Sequence, residues 1–296
     1  MELKSLNKVS NLTSDQFVSQ YMKQNIPVII EDFVDSQSAA FQKWNYNYFK
    51  EIAGEKEVDV YGGEIHSLNR AASKPIAKMT FAEYLDLITN KATEYRLFLF
   101  NLLTIKPELK KDIQYKDITK GKVLHWLPFM FFGGEGSNTR NHVDIDMSHV
   151  FLTQYQGIKR VWLFPLNQSD LLYKLPYNFH SITNLKTSNP KEFPGLKYLK
   201  GYEAVLKPGQ TLYMPSGWWH FIQYETEGYS ISVREKWRGF RNLVFTRHFD
   251  NLMRKLFKEK WFDYKVSVAK KRAQKAIDKI EGKHILDDIP DIPIHF

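Results

Sequence analysis

The chain has 296 residues, of which 43% are hydrophobic and 15% are aromatic, so it is long and apolar enough to fold around a packed core. It contains no cysteine, which excludes disulfides, thiolate metal sites and cysteine nucleophiles. Its apolar runs are far shorter than the roughly 20 residues of a membrane span, and its first residues lack the apolar stretch of a signal peptide. We therefore expect a cytoplasmic protein with no membrane partner, in which any metal has His, Asp or Glu ligands.

The formal net charge of +9 is concentrated near the C-terminus. Residues 241–283 hold 13 Lys and Arg against 5 Asp and Glu, which leaves the rest of the chain nearly neutral. A solvated helix face explains such a run, and a contact surface for RNA is the alternative. The charge pattern therefore leaves an RNA partner open without requiring one.

The first 94 residues alternate between predicted helices and strands. Two capping boxes of the S/T-x-x-E/Q type, Thr13 with Gln16 and Thr80 with Glu83, predict the starts of two helices. Between them, "IPVIIEDF" is typical of a short buried strand, "KWNYNYFKEIAG" of a helix, and "KEVDVYGG" of another strand. We interpret residues 1–94 as an α/β elaboration of the domain that follows.

From Tyr95 the pattern changes to short strand-like runs separated by Gly, Pro and Asn. These runs are "YRLFLFNLL", "LHWLPFMFFGG", "NHVDIDMSHVFLTQYQG", "KRVWLFP", "YEAVLKPGQTLYMP", "WHFIQY" and "YSISVREKW". Such a series over residues 95–240 favours an antiparallel β-sandwich or barrel. Residues 166–200 are too long and aperiodic for an ordinary connection, and insertions of this kind are often substrate lids.

After Phe240 the period becomes helical again. Two apolar faces are predicted, one with Phe245, Phe249, Leu252 and Leu256, the other with Phe262, Val266, Ala269, Ala273, Ile277 and Ile280. Gly282 is expected to stop the second helix. These faces must pack on the β-domain or on another copy of the chain, and we favour a homodimer formed through residues 241–296.

His142 and Asp144 in "NHVDID" lie two residues apart in a β-branched stretch. Positions i and i+2 of a strand face the same side, so both side chains can reach one ion. The pair alone is a weak signal, because two polar residues on the solvent face of a strand give the same pattern. His220, just after the bend in "LKPGQTLYMPSGWWHFI", can face the pair across a barrel. Two His and one carboxylate form the facial triad of non-haem Fe(II) sites that activate oxygen.

Two further residues indicate an anionic ligand beside such a metal. Lys159 lies in the next strand-like run among apolar residues, where a buried ammonium needs a counter-charge. A dicarboxylate cosubstrate supplies that charge, and the hydroxyl of Thr139 can bind the same carboxylate. Asp146 continues the i, i+2 series and is either an acceptor for a ligand imidazole or a surface carboxylate.

Several motifs in order, "GSNTRNHVDID", "QYQGIKRVWLFP" and "YEAVLKPGQTLYMPSGWWHFI", resemble the JmjC-type, cupin-like Fe(II)- and 2-oxoglutarate-dependent oxygenases, especially the asparaginyl hydroxylase that inhibits hypoxia-inducible factor. The resemblance implies a mainly β fold with helices: a double-stranded β-helix (jelly-roll) core, an N-terminal α/β elaboration, and C-terminal helices that dimerise the protein. It implies His142, Asp144 and His220 as the catalytic iron ligands. It also implies that Lys159 and Thr139 bind the distal carboxylate of 2-oxoglutarate.

The function implied by this resemblance is hydroxylation of a protein side chain by O2, coupled to conversion of 2-oxoglutarate to succinate and CO2. RNA or a small metabolite as the substrate is one alternative. A binding module without turnover is another, because Phe98 stands where the family has a tyrosine near the cosubstrate, and Arg234 where it has an asparagine near the metal. Neither the substrate nor the hydroxylated atom is named by any motif.

Overall fold

A computed structural model describes residues 1–62, 75–98, 100–121, 123, 128–176, 178–235 and 262–287. For residues 283–287 it describes the backbone alone. The strands in these ranges are β1 Glu2–Ser5, β2 Lys8–Val9, β3 Val28–Ile30, β4 Glu57–Tyr61, β5 Ala77–Thr80, β6 Arg96–Leu97, β7 Phe129–Gly133, β8 Val150–Gln156, β9 Lys159–Phe164, β10 Lys200–Leu206, β11 Thr211–Met214, β12 Trp219–Tyr224 and β13 Gly228–Arg234. The α-helices are α1 Ser14–Phe17, α2 Ala39–Lys43, α3 Tyr46–Ala53, α4 Phe81–Asn90, α5 Leu102–Ile105 and α6 Phe262–Asp287.

Two sheets form the core. One has four strands in the order β1-β10-β9-β12, and the other has nine in the order β2-β3-β11-β8-β13-β7-β6-β4-β5. The pairs around the centre of both sheets are antiparallel, such as β9 with β12 and β8 with β13. The predicted mainly β jelly-roll core with added helices is therefore confirmed.

The helix starts predicted in the N-terminal region are confirmed. Thr13 caps α1 and Thr80 caps α4, and each threonine oxygen accepts a hydrogen bond from the backbone N–H three residues later. Gln16 and Glu83 complete the boxes by accepting from the backbone N–H of the capping threonine. Strands β2 to β5 of this region join the nine-stranded sheet, so the elaboration widens the core sheet.

Alternation along the strands divides the apolar residues between two clusters. The larger cluster packs the N-terminal helices against one face of the nine-stranded sheet, and it includes Phe49, Phe151 and Tyr213. A smaller cluster lies between the two sheets and includes Leu152 from β8 and Val161 from β9. Consecutive residues of a strand point to opposite faces, which is why Phe151 and Leu152 belong to different clusters. Val150, Leu152 and Met214 of this smaller cluster also line a cavity that contains polar residues.

Two runs predicted as strands are extended only in part. In the run "YRLFLFNLL", β6 ends at Leu97 and α5 begins at Leu102. In the run "NHVDIDMSHVFLTQYQG", His142 forms isolated β-bridges and a turn follows. A 3.0 Å hydrogen bond from the Met147 N–H to the Asp144 carbonyl closes this turn. Met147 has φ of 52°, a left-handed conformation that cannot continue a β-ladder. The strand predicted to start at residue 141 is therefore wrong, and β8 begins at Val150.

Helix α6 packs on the chain's own insertion. Residues 166–200 contain two short 3-10 helices, Leu166–Gln168 and Pro194–Tyr198. Ala273 of α6 is buried in one cluster with residues of this insertion, and Ile277 in another. The apolar face predicted for this helix is thus covered within the same chain.

Gly282 does not stop α6, because the helix continues to Asp287, so that prediction is wrong. A glycine inside a helix costs only about 1 kcal/mol relative to alanine, which a helix of 26 residues tolerates. The other predicted C-terminal face, with Phe245, Phe249, Leu252 and Leu256, lies outside the described residues. The homodimer through this segment therefore stays a prediction. None of the described helices combines the length and the apolar character that crossing a membrane demands.

Candidate metal centre and its cavity

A backbone pairing brings the two predicted ligand histidines together. The His142 N–H donates to the His220 carbonyl at 3.1 Å, and the His220 N–H donates to the His142 carbonyl at 2.9 Å. Residues that exchange both hydrogen bonds in an antiparallel pair lie directly opposite, with their side chains on the same face. The imidazole centroids are accordingly 4.1 Å apart, although the residues are far apart in sequence.

Asp144 completes a cluster that has the dimensions of a metal site. Ligand atoms of His142, Asp144 and His220 all lie within 4.8 Å of one another. Asp144 Oδ1 is 3.7 Å from His142 Nε2 and 3.9 Å from His220 Nε2. The triad thus forms beside a turn, in which the Met147 N–H donates to the Asp144 carbonyl, and not on a regular strand.

Backbone carbonyls fix the orientation of both imidazoles. His142 Nδ1 lies 2.6 Å from the Arg140 carbonyl oxygen, and His220 Nδ1 lies 3.2 Å from the Trp218 carbonyl oxygen. A carbonyl only accepts, so Nδ1 of each ring carries a proton, and Nε2 of each ring faces Asp144 at the centre of the cluster. Hydrogen bonds of this kind from the second ring nitrogen commonly orient metal-binding histidines.

The local electrostatics favour the metal-binding protonation states. Burial, aided by the neighbouring His220, lowers the pKa of His142 to about 3, so this imidazole is neutral near pH 7. Burial alone would raise the pKa of Asp144, but Arg234 and the two imidazoles together hold it below its usual range. An ionised carboxylate beside imidazole nitrogens is the donor set of the facial iron triad, and the residues present therefore fit a ferrous ion.

All five residues predicted for the site line one cavity of about 150 Å³, namely His142, Asp144, His220, Lys159 and Thr139. The metal cluster occupies one end of the cavity. Lys159, on β9, and Thr139 define the other end, which we call the cosubstrate end. The structure thus brings these five residues together, although their roles in catalysis stay predictions.

Lys159 is almost completely buried, with 2% of its surface exposed. Its Nζ donates to Ser230 Oγ and lies 4.2 Å from the centroid of the Tyr224 ring. Within the described ranges no carboxylate lies at ion-pair distance from Nζ, and burial lowers the pKa of this ammonium well below its usual range. A dicarboxylate ligand matches this end of the cavity, because its charge would offset the desolvation of the ammonium.

Thr139 and Tyr224 add hydroxyl groups to the cosubstrate end. Thr139 Oγ1 accepts a 3.0 Å hydrogen bond from the Ile222 N–H, which leaves its own O–H to donate elsewhere. Tyr224 is opposite Lys159 in the pairing of β12 with β9. Sequence reasoning missed Tyr224, although His220, Ile222 and Tyr224 follow the period of two that places them on the same face of a strand.

Phe98 and Arg234, the two positions at which the sequence was expected to depart from the family, both line the cavity. Phe98 has no hydroxyl and packs edge-on against the Tyr61 ring at 5.8 Å. Arg234 Nη1 donates to Asp144 Oδ2 at 3.1 Å and to Asp146 Oδ1 at 2.9 Å. Asp146 therefore acts as a partner of Arg234, and neither ligand imidazole depends on it.

The insertion also reaches the metal end. His180 pairs with His142 through an isolated antiparallel bridge, its ring centroid is 5.7 Å from that of His142, and it lines the cavity. It is not one of the three clustered ligand residues. Residues of 166–200 thus form part of the wall beside the metal, while their role as a substrate lid stays a prediction.

Comparison with known proteins agrees with the fold described above. The sequence profile of the cupin-like domain matches residues 14–242, most of the chain. The chain belongs to the cupin-like domain family. Its predicted jelly-roll fold agrees with this assignment, and the matched range contains both ends of the cavity.

Several curated relatives of this cupin-like protein carry JmjC demethylase names. Lysine-specific demethylase JMJ30 of Arabidopsis thaliana is 29% identical over 241 residues, which are 77% of this chain and 54% of that protein. Lysine-specific demethylase 8 of Xenopus tropicalis is 25% identical over 224 residues, 74% of this chain and 50% of that protein. JmjC domain-containing protein A of Dictyostelium discoideum is 28% identical over 246 residues, 76% of this chain and 93% of that protein.

The chain spans about half the length of the two demethylases. The predicted cupin-like family is confirmed by the domain match, and the names of these relatives agree with the resemblance to JmjC-type oxygenases. The closer likeness to the asparaginyl hydroxylase stays a prediction.

Proposed function

We propose that this protein is an Fe(II)- and 2-oxoglutarate-dependent oxygenase that hydroxylates a protein side chain and releases succinate and CO2. The observation that supports it most is the sharing of one cavity by a three-residue metal cluster and a buried lysine. The cluster suits a cation, and the lysine suits a dicarboxylate. An oxygenase of this class needs both ligands side by side.

Each residue has a defined part in this proposal. His142, Asp144 and His220 would hold the iron, which when bound supplies the activation of O2 and the oxidation of a substrate C–H bond. Lys159 would anchor the distal carboxylate of 2-oxoglutarate, with Thr139 donating a second hydrogen bond. The apolar residues between the sheets, including Leu152, exclude water from the reacting groups.

Demethylation of a protein is the second candidate, and the names of the relatives favour it. The two candidates share their first chemical event, because an N-methyl group is removed after its carbon is hydroxylated. They differ in the substrate side chain that reaches the metal. A protein substrate is common to both, whereas an RNA substrate rests on the basic C-terminal segment alone.

Succinate release tests the proposal directly. The purified protein would be incubated with Fe(II), ascorbate, 2-oxoglutarate and a cell lysate, and succinate would be measured beside an Asp144→Ala control. Mass spectrometry of the lysate proteins then separates the candidates, since hydroxylation adds one oxygen atom whereas demethylation removes a methylene unit and gives formaldehyde. Succinate at equal, background levels with both proteins would refute the enzyme and leave a binding module.

Two further features belong to the proposal. We place the protein in the cytoplasm, and we assign dimerisation to residues 241–296. Truncation after Phe240 is expected to give a monomer by light scattering, and a truncated chain that still dimerises would exclude this segment as the interface. The buried apolar face of α6 limits the candidate contact surface to other parts of that segment.

A further inference from the structure

Arg234 lies where two carboxylates meet at the metal end of the cavity. It is the last residue of β13 and is paired with Val150, the first residue of β8. Its Nη1 atom is within 3.1 Å of oxygens from both Asp144 and Asp146. A guanidinium in this position is therefore in contact with one of the three clustered ligand residues.

The two oxygens of Asp144 have different environments. Oδ1 faces the Nε2 atoms of both ligand histidines, at 3.7 Å and 3.9 Å. Oδ2 faces away from them and accepts the hydrogen bond from Arg234 Nη1. A carboxylate held in this way presents one oxygen to the centre of the cluster, because rotation about its terminal bond would break the contact with Arg234.

Arg234 also contacts groups outside the three clustered ligand residues. Asp146 accepts from the same Nη1 with both oxygens, at 2.9 Å and 3.1 Å. Ser148 Oγ donates to Asp146 Oδ2 at 2.8 Å and fixes that carboxylate. The guanidinium carbon also lies 5.5 Å from the centroid of the Phe129 ring. These contacts position the arginine independently of Asp144.

We propose that Arg234 is a positioning residue that, anchored by Asp146, holds Asp144 as a one-oxygen metal ligand. This inference rests on the metal-binding part of the proposed function. By charge alone, a cation beside the site weakens the binding of a metal ion, because like charges repel. By orientation, the same cation strengthens binding, since the ligand oxygen is already in place before the ion arrives. The two effects have opposite signs, so removal of the guanidinium distinguishes them.

The experiment is a titration with Mn(II), followed by the electron paramagnetic resonance of the free ion, without 2-oxoglutarate. Arg234→Met is expected to weaken Mn(II) binding about ten-fold or more, the usual effect of losing a group that hydrogen-bonds to a metal ligand. Arg234→Lys should recover part of the loss. Asp146→Asn should weaken binding less, because Arg234 keeps its contact with Asp144. Unchanged or tighter binding by Arg234→Met would overturn the inference and leave Arg234 as a charge-balancing group.

Arg160→Met is the matched control. Arg160 also bridges two carboxylates, those of Glu203 and Glu225, but it does not line the cavity. Its replacement should leave Mn(II) affinity unchanged. Thermal unfolding of each metal-free variant checks that the fold is retained. If Arg234→Met does not fold, the Asp146→Asn titration tests the inference instead. Wild-type Mn(II) affinity of Asp146→Asn would then contradict the anchoring role of Asp146. A wild-type protein that binds no Mn(II) would instead refute the metal site and this inference together.

Discussion

The two ends of the cavity carry opposite charge arrangements. At the metal end the ionised Asp144 is paired with Arg234, and Arg234 with Asp146, so each charge there has a partner inside the protein and one negative charge is left over. At the cosubstrate end the Lys159 ammonium has only neutral partners among the described residues, Ser230 and Tyr224. In the proposed function, the metal end is thus oriented in advance for a cation, whereas the cosubstrate end would gain its compensating charge from a ligand.

This difference has a consequence for stability as well as binding. A paired buried charge contributes to a fixed geometry, while an uncompensated buried charge destabilises the protein that contains it. Substitutions at the metal end should therefore impair metal binding. A substitution that removes the charge at the cosubstrate end should weaken ligand binding and yet stabilise the ligand-free protein.

The largest effect is expected from loss of a ligand at the metal end. His142→Ala should weaken Mn(II) or Fe(II) binding by more than about 100-fold, since loss of a group that only hydrogen-bonds to a metal ligand already weakens binding about 10-fold to 100-fold. Equilibrium dialysis with metal analysis measures this. His180→Ala is the matched control, because His180 lines the same cavity outside the triad. Full metal content in His142→Ala would contradict the ligand assignment.

The next effect concerns Lys159 at the cosubstrate end. Lys159→Met should weaken 2-oxoglutarate binding by about 100-fold or more, because a broken buried ion pair costs about 3 kcal/mol or more. Calorimetry with Mn(II) in place of iron measures it. The same variant should raise the urea midpoint of the ligand-free protein. The exposed Lys200→Met is the control, and a Lys159→Met variant that binds 2-oxoglutarate normally would remove the basis for the comparison.

A smaller effect is expected from pH. Burial lowers the pKa of Lys159 in the free protein, whereas a bound carboxylate would favour the ammonium. At pH values above the lowered pKa, binding of 2-oxoglutarate is therefore coupled to the uptake of one proton by Lys159. The affinity for 2-oxoglutarate should therefore be constant at lower pH. At pH values above the lowered pKa of Lys159, the affinity for 2-oxoglutarate should fall about ten-fold per pH unit. Lys159→Met should not show this decline, and parallel pH profiles for the two proteins would count against the role of the ammonium.

The smallest effect is expected at Tyr224. If its hydroxyl contributes to the cosubstrate end, Tyr224→Phe should weaken 2-oxoglutarate binding about five-fold, as the loss of about 1 kcal/mol from one hydrogen bond implies. The affinity for Mn(II) should not change, because Tyr224 lies at the end remote from the triad. Calorimetry of both ligands checks the two statements. A larger loss for the metal than for 2-oxoglutarate would show that the two ends are not independent.

Much of the fold could be predicted because it depends on short-range patterns. The capping boxes at Thr13 and Thr80 fix helix starts through contacts three residues apart, and both are present. The strand-like runs after Tyr95 identified most of the jelly-roll strands. The errors lie where local patterns are weak, at the turn near Met147 and at Gly282, which is accommodated within α6.

The sequence by itself determined the chemistry available to this protein. Without cysteine, the candidate metal ligands were limited to His, Asp and Glu, and the motifs predicted His142, Asp144 and His220 as the ligands with Lys159 as a buried cation beside them. Only the tertiary structure decided how these groups are oriented. The pairing of His142 with His220 and the contact of Arg234 with Asp144 join residues that are 78 and 90 positions apart. Such contacts depend on strand register and packing between distant segments, and no local periodicity of the chain encodes them.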